Sequence, residues 1–187
     1  MMSDVQYLTG RLLLAMPGMG DPRFDHAVIA MCVHDENGAL GVGIGKLHPG
    51  LRFHQLLDNV GLEPGEAPDA PVHNGGPVEP QRGFILHSPE WQLEDTVTVE
   101  GRFGLSASLE ALKAITRGEG PERWLFALGY AGWGAGQLDD EMKAHGWYAA
   151  DAGERIVFAT PAAVRWTAAW KAEGVDPSLL ANTTGRA

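Results

Sequence analysis

The chain has a single cysteine, Cys32, and that scarcity excludes an internal disulfide. The surrounding run Val28-Ile-Ala-Met-Cys-Val33 is apolar, a setting in which a small thiol packs as a hydrophobe, compatible with a reducing compartment. Basic residues are scarce too: 14 Lys and Arg face 24 Asp and Glu, a formal net charge of -10 at pH 7. Such an excess repels polyphosphates unless a local cluster of cations overrides it, and no cluster is visible. The predicted helix from Pro161 to Glu173 carries only Arg165 and Lys171 against Glu173, so direct nucleic-acid binding is disfavoured. Long hydrophobic runs are missing as well. The stretch Leu12-Leu-Leu-Ala-Met16 stops at Pro17, well short of the ~18 apolar residues needed to cross a bilayer and without a signal-peptide cleavage pattern. A cytoplasmic protein with no membrane partner is expected.

Chemical motifs are thin on the same reading. Seven histidines, at positions 26, 34, 48, 54, 73, 87 and 145, show neither helical i,i+4 pairing nor companion Cys-x-x-Cys pairs. Cys32 and His34 are expected to share a strand face, but two ligands do not make a site, so no metal is predicted. The run Gly41-Val-Gly-Ile-Gly-Lys46 fails as a nucleotide loop. Leu40 stands where the first glycine belongs, Leu47 replaces the Ser/Thr that meets magnesium, and Lys46 replaces the third glycine of a dinucleotide fingerprint. His87-Ser88 places a base beside a nucleophile, yet adjacent strand residues face opposite ways and no Gly-x-Ser-x-Gly elbow surrounds any serine. No cofactor and no catalytic set is assigned.

What is present is an ordinary globular composition, 44% hydrophobic over 187 residues, enough for one core and one domain spanning 1–187. Leu12 to Met16 and Ala27 to His34 read as strands. Asp35-Glu-Asn-Gly38 reads as a hairpin turn, with Ala39 to Lys46 returning. A short helix is predicted over Arg52 to Val60, then a Pro/Gly-rich loop from Glu63 to Pro80. Strands follow at Gly83 to His87, Thr96 to Val99 and Arg102 to Ser106. Ser108 caps a helix ending at Gly118, with Leu109, Leu112 and Ile115 along it. Trp124 to Tyr130 is predicted as a strand, Gln137 to His145 as a helix and Ile156 to Ala159 as a last strand. A final helix is capped by Thr160, opens at Pro161 and ends at Gly174. Strands outnumber helices without β-α-β alternation, which points to an α+β fold with a largely antiparallel sheet.

The most distinctive segment is Gly129-Tyr-Ala-Gly-Trp-Gly-Ala-Gly-Gln-Leu138, a strand running through four glycines into a helix. Its free amides suit an anion. Against that, Asp139, Asp140 and Glu141 in the first turn satisfy the dipole and repel anions, so a packed corner anchored by Trp133 is the simpler reading. Trp166 and Trp170, at i,i+4, read as core or interface aromatics. Arg82 and the turn residue Asp21 either pair with each other or face a shared pocket, and an ion pair is the simpler reading.

Leu12-Leu-Leu-Ala-Met-Pro17, Asp21-Pro-Arg-Phe24, Gly75-Gly-Pro-Val78, Arg82-Gly-Phe-Ile-Leu-His-Ser88 and the glycine-rich segment resemble, in order and spacing, the successive motifs of the YqgE/AlgH family of bacterial proteins. The resemblance implies a bifurcated, mostly antiparallel sheet curled into a pseudo-barrel with helices packed outside. It implies a bacterial cytosolic protein, often labelled a transcriptional regulator, and no catalytic residues. The chain departs from the family pattern at Gly43, Gly45 and Leu47, where an aliphatic residue, Ile-Asn, a basic residue and Pro are usual, and at Arg186, where a terminal His is usual.

The functional expectation is a non-enzymatic regulatory or interaction protein acting through an unidentified protein partner or small ligand. The competing expectation is a sensor or enzyme. Asp21, Arg82, His87, Tyr130, Trp133 and Gln137 are the candidate ligand-binding residues.

Overall fold

The structure, a computed structural model, describes residues 7–18, 21–22, 24–99, 101–151 and 153–184. Ten strands form one curled sheet. They are β1 (Leu12–Ala15), β2 (Val28–Asp35), β3 (Gly38–Gly43), β4 (Leu47–Arg52), β5 (Pro71–Asn74), β6 (Val78–His87), β7 (Val97–Val99), β8 (Phe103–Ser106), β9 (Trp124–Gly134) and β10 (Trp147–Ala150). Five helices accompany them: α1 (Phe53–Asn59), α2 (Leu109–Thr116), α3 (Gln137–Lys143), α4 (Ala162–Ala172) and α5 (Pro177–Thr184). The main path runs β10-β1-β2-β3-β9-β6-β8-β7, antiparallel throughout, and its end strands β10 and β7 are not paired, so the sheet curls without closing.

The long strand β9 is where the sheet forks. Along one edge it pairs with β6. Along the other, Phe126–Leu128 pair in parallel with β5, while Ala131–Gly134 pair antiparallel with β3. The two branches meet through the Gly43 N–H bonded to the Gly75 carbonyl at 2.8 Å, and Gly75 N–H in turn bonds the Leu128 carbonyl at 2.8 Å. Glycine is required at this junction, because a Cβ on Gly75 would lie 2.1 Å from the Gly129 carbonyl oxygen. The α+β fold with a largely antiparallel sheet, expected from the residues, and the bifurcated, curled form of that sheet, implied by the family resemblance, are both observed.

Inside the curl, Leu12, Leu14, Val28, Ala30, Val42, Phe84, Leu105 and Ala127 pack against Trp166 and Trp170 of α4. The i, i+3, i+4, i+7, i+8 positions Ala162, Arg165, Trp166, Ala169 and Trp170 are all buried, as an amphipathic helix requires. On the opposite side of β1 and β2, Leu13, Ile29 and Met31 pack with Trp133, Leu138 and Trp147. A third cluster joins Phe53 and Leu57 of α1 to Ala111 and Ile115 of α2 over Ile85 and Phe126. Ser108 caps α2 as expected, accepting the Ala111 N–H, though Leu109 is exposed and Ala111, Ala114 and Ile115 form the buried face.

Several expectations are corrected. Ile156 to Ala159 is not a strand but part of a single π-helical turn, Arg155–Ala159. A four-residue apolar run is ambiguous between strand and helix, and here Arg165 draws the Ile156 and Thr160 carbonyls into a turn. Thr160 does not cap α4; its hydroxyl donates to the Arg155 carbonyl, and the helix opens one residue later. The segment 63–80 is not all loop, since it contains β5 and the start of β6, where Pro71 opens a strand and only Val78 pairs before a register shift. Cys32 and His34 do not share a face. Met31 pairs with Gly41 and Val33 with Leu40, so Cys32 is the extra residue of a β-bulge, and alternation restarts after it. Cys32 then joins the interior of the curl, while His34 turns to Leu8 and Asp139. β4, β10 and α5 were not anticipated. Arg186 lies outside the described residues.

Candidate functional site

At the fork, the diverging branches leave a cleft of about 410 Å³. Its apolar wall comes from Phe24, Ala27, Val28, Ile29, Pro77, Pro80 and Ala131, and its floor from the backbone of Gly43, Gly45, Gly75 and Gly76. Three polar side chains also line it: Lys46, His48 and Asn74. Their backbone is fixed by β-type pairing across the fork, Asn74 N–H donating to the Lys46 carbonyl at 2.8 Å. Their side chains are not so committed. The Lys46 ammonium reaches only the Pro22 carbonyl, at 3.4 Å, and among the described residues no carboxylate pairs with it. The His48 Nε2 is buried and has no hydrogen-bond partner among the described residues.

Behind the wall lies a buried cation. Arg165, 2% exposed, projects from the apolar stripe of α4 and donates to the carbonyls of Ile44, Ile156 and Thr160 and, at 3.1 Å, to the Nε2 of His73. Ile44 stands between the cleft residues Gly43 and Gly45, and His73 precedes Asn74. All four Arg165 partners are neutral. Burial lowers the guanidinium to about 10, which leaves it charged at neutral pH. His73 donates its Nδ1–H to the Phe126 carbonyl at 3.1 Å, so its Nε2 is the acceptor that Arg165 needs. Burial first, and the adjacent guanidinium second, push His73 down to about 4, which keeps it neutral.

The six residues singled out in the sequence fall into separate surroundings. Arg82 pairs with Glu79 at 3.4 Å and lies over the Phe84 ring at 5.1 Å, and Tyr130 meets the same ring edge-on at 5.8 Å. Trp133 and Gln137 come together at Glu141, whose carboxylate accepts the Trp133 and Trp147 indoles and the Gln137 amide. Asp21 holds the turn that leads into β2, its carbonyl accepting the Phe24 N–H at 3.0 Å. His87 is fully buried: its Nδ1 donates to the Ser88 carbonyl at 3.0 Å, so its Nε2 accepts the Ser106 hydroxyl at 2.8 Å, which Thr96 bonds in turn at 2.7 Å. Burial lowers the His87 pKa. This is a Ser–His pair that the sequence did not reveal, but Ser106 is sealed from solvent, so the chain of bonds braces the 88–96 loop and presents no exposed nucleophile.

A second cavity, a groove of about 470 Å³ between α1 and α2, is lined mostly by apolar side chains, among them Leu56, Val60, Leu109 and Leu112. Its polar lining is Asn59, Gln81, Ser106 and Ser108, of which Ser106 bonds His87 and Ser108 caps α2. Among the described residues no three His, Cys, Asp or Glu side chains gather as metal ligands, and no helix is long and apolar enough to cross a membrane.

Residues 12–178 match the model of the AlgH-like family. A UPF0301 protein of Novosphingobium aromaticivorans is 63% identical over 186 residues, covering 100% of both chains. A UPF0301 protein of Rhizorhabdus wittichii is 56% identical, covering 96% of this chain and 97% of that one. Among solved structures, the AlgH protein from Pseudomonas aeruginosa superposes with a TM-score of 0.80 at 38% identity, covering 96% of each chain. A protein from Corynebacterium diphtheriae shares the fold, with a TM-score of 0.73 at 19% identity over 96% of this chain and 94% of that one.

Proposed function

The chain belongs to the AlgH-like family, and from that premise we propose that it is a non-enzymatic binding protein of the regulatory or interaction type, whose small ligand occupies the cleft at the sheet fork. One observation carries this reading. Segments far apart in sequence, around Phe24, Lys46, Asn74 and Ala131, converge on one apolar cleft and bring the Lys46 ammonium, paired with no carboxylate among the described residues, and the Asn74 carboxamide. Ligand sites have this composition, a mostly apolar wall with a few polar groups that set orientation. Direct DNA binding finds no support in a chain of net charge -10.

The test is a metabolite screen by thermal shift on the wild-type chain and on Ala27→Phe, which places an aromatic ring in the cleft. A ligand at 100 times its Kd stabilises the wild type by ~2.7 kcal/mol. The expected result is a hit that Ala27→Phe abolishes while keeping its own cooperative melt. Hits equally strong in both proteins would place the ligand elsewhere and overturn the reading. A flat screen, followed by recovery of a protein partner that Ala27→Phe still binds, would replace the small ligand with an interaction surface outside the cleft.

A further inference from the structure

We infer that the ligand of this cleft is an anion: a compact apolar body bearing one carboxylate-type group, seated against Lys46, His48 and Asn74. The inference rests on the cleft being the binding site, and it adds the ligand's chemical class. Three features of the molecule point the same way. The Lys46 ammonium opens on the cleft without a carboxylate partner among the described residues, touching only the Pro22 carbonyl at 3.4 Å. Arg165 adds a second positive charge behind the same wall. Its guanidinium is compensated by carbonyl dipoles and neutral His73, with no negative charge in contact, so its field is not cancelled locally. The Asn74 carboxamide, on the same lining, supplies a hydrogen-bonding donor and acceptor beside the ammonium.

The sign matters because the chain as a whole carries a net charge of -10 and repels anions at long range. The acidic residues adjacent in sequence to the lining, Asp25 beside Phe24 and Glu79 beside Pro80, do not line the cleft themselves, and Glu79 pairs with Arg82 at 3.4 Å. The side chains that line these walls, Phe24, Ala27, Val28 and Ile29 with Pro77 and Pro80, carry no hydrogen-bonding group, so they suit a hydrocarbon or aromatic body. A cavity of about 410 Å³ falls at the small end of ligand pockets and fits a single small acid. An amine of the same shape would meet Lys46 with like charge; a neutral amide would lose the Coulomb attraction while keeping the apolar contacts.

The experiment uses matched acid, amide and amine triplets on phenyl, indolyl and branched alkyl bodies, starting with phenylacetate, phenylacetamide and phenethylamine. Each is titrated into the full chain and followed by amide NMR. The acids should perturb Lys46, His48, Asn74 and Gly75, and should bind roughly tenfold or more tightly than their amides, with the preference falling as salt rises. Lys46→Met should erase the acid-over-amide preference without changing the melting temperature, and Lys46→Glu should reverse it in favour of the amine. If amides or amines bind in the cleft as tightly as the acids, the anion assignment fails and the cleft reading stands. If no member of any triplet perturbs the cleft, the anion assignment fails too, and the screen against Ala27→Phe decides the cleft reading separately.

Discussion

The buried Arg165–His73 pair makes stability depend on pH in a way that can be calculated. In the folded protein, burial and the neighbouring guanidinium hold His73 at about 4, against an ordinary value of 6.5. Between those two values the unfolded chain binds a proton that the folded chain refuses, so stability rises with pH across the window and falls as pH drops through it. The contribution is fully present above 6.5 and lost by about 4. At roughly 1.4 kcal/mol for each pH unit, the gap amounts to about 3 kcal/mol. The perturbation is His73→Gln, which can still accept from Arg165 but cannot titrate. Urea unfolding of both proteins at about pH 7.5, 6, 5 and 4 gives the two slopes. His87, also lowered by burial, and the carboxylates of Asp69, which accepts the His54 N–H, and Asp176, bonded by Ser178, titrate in both proteins and cancel in the difference. The wild type should lose about 3 kcal/mol more than the variant between pH 7.5 and 4. Equal losses would show that His73 binds its proton as easily folded as unfolded, and would refute the placement of a buried cation against it.

Three further outcomes follow from the same geometry. Arg165→Ala strands the carbonyls of Ile44, Ile156 and Thr160, and should cost about 3 kcal/mol in urea unfolding; a loss below about 1 kcal/mol would mean that water reaches those carbonyls. Glu141→Ala removes the acceptor shared by the Trp133 and Trp147 indoles and should cost about 2 kcal/mol and alter the tryptophan fluorescence, whereas an unchanged spectrum would contradict the shared bond. Ser108→Ala deletes the α2 cap and should cost about 1 kcal/mol, while Ser108→Asp should keep most of the stability.

Local rules made much of the fold legible. The Asn-Gly hairpin between β2 and β3, the Ser108 cap and the Gly174 stop each depend on residues near one another in sequence, and each lies close to where chemistry puts it. The elements that escaped depend on distant partners. β5 is a proline-led segment that becomes a strand because β9 and β4 lie on either side of it, and β10 forms by pairing with β1. The bulge at Cys32 was hidden because alternation in an apolar run carries no mark of the one residue that steps out of register.

The site was less legible for the same reason. Phe24, Gly75 and Ala131 stand in the family motifs, but nothing local shows that they share a cleft with Lys46, which lies in the glycine run that fails as a nucleotide loop and departs from the family pattern. One local signal of the buried cation is present in the sequence. Arg165 sits on the i, i+3, i+4 stripe with Ala162, Trp166 and Ala169, so a cation was already assigned to the buried face of α4 by spacing alone. His87 shows the same limit: adjacency correctly excludes a side-chain pair with Ser88, and the serine it does meet, Ser106, comes from the neighbouring strand β8.

The central claim is that the fork cleft is where this protein meets its ligand, and the most direct test is an amide NMR map of the full chain against the ligand recovered by the metabolite screen. The account predicts shifts confined to the segments that line the cleft, from Phe24 to Ile29, Gly43 to His48 and Asn74 to Gly76, with silence at Val60, Leu109 and Leu112. Shifts centred on those last three residues would move the site to the groove between α1 and α2 and contradict the account.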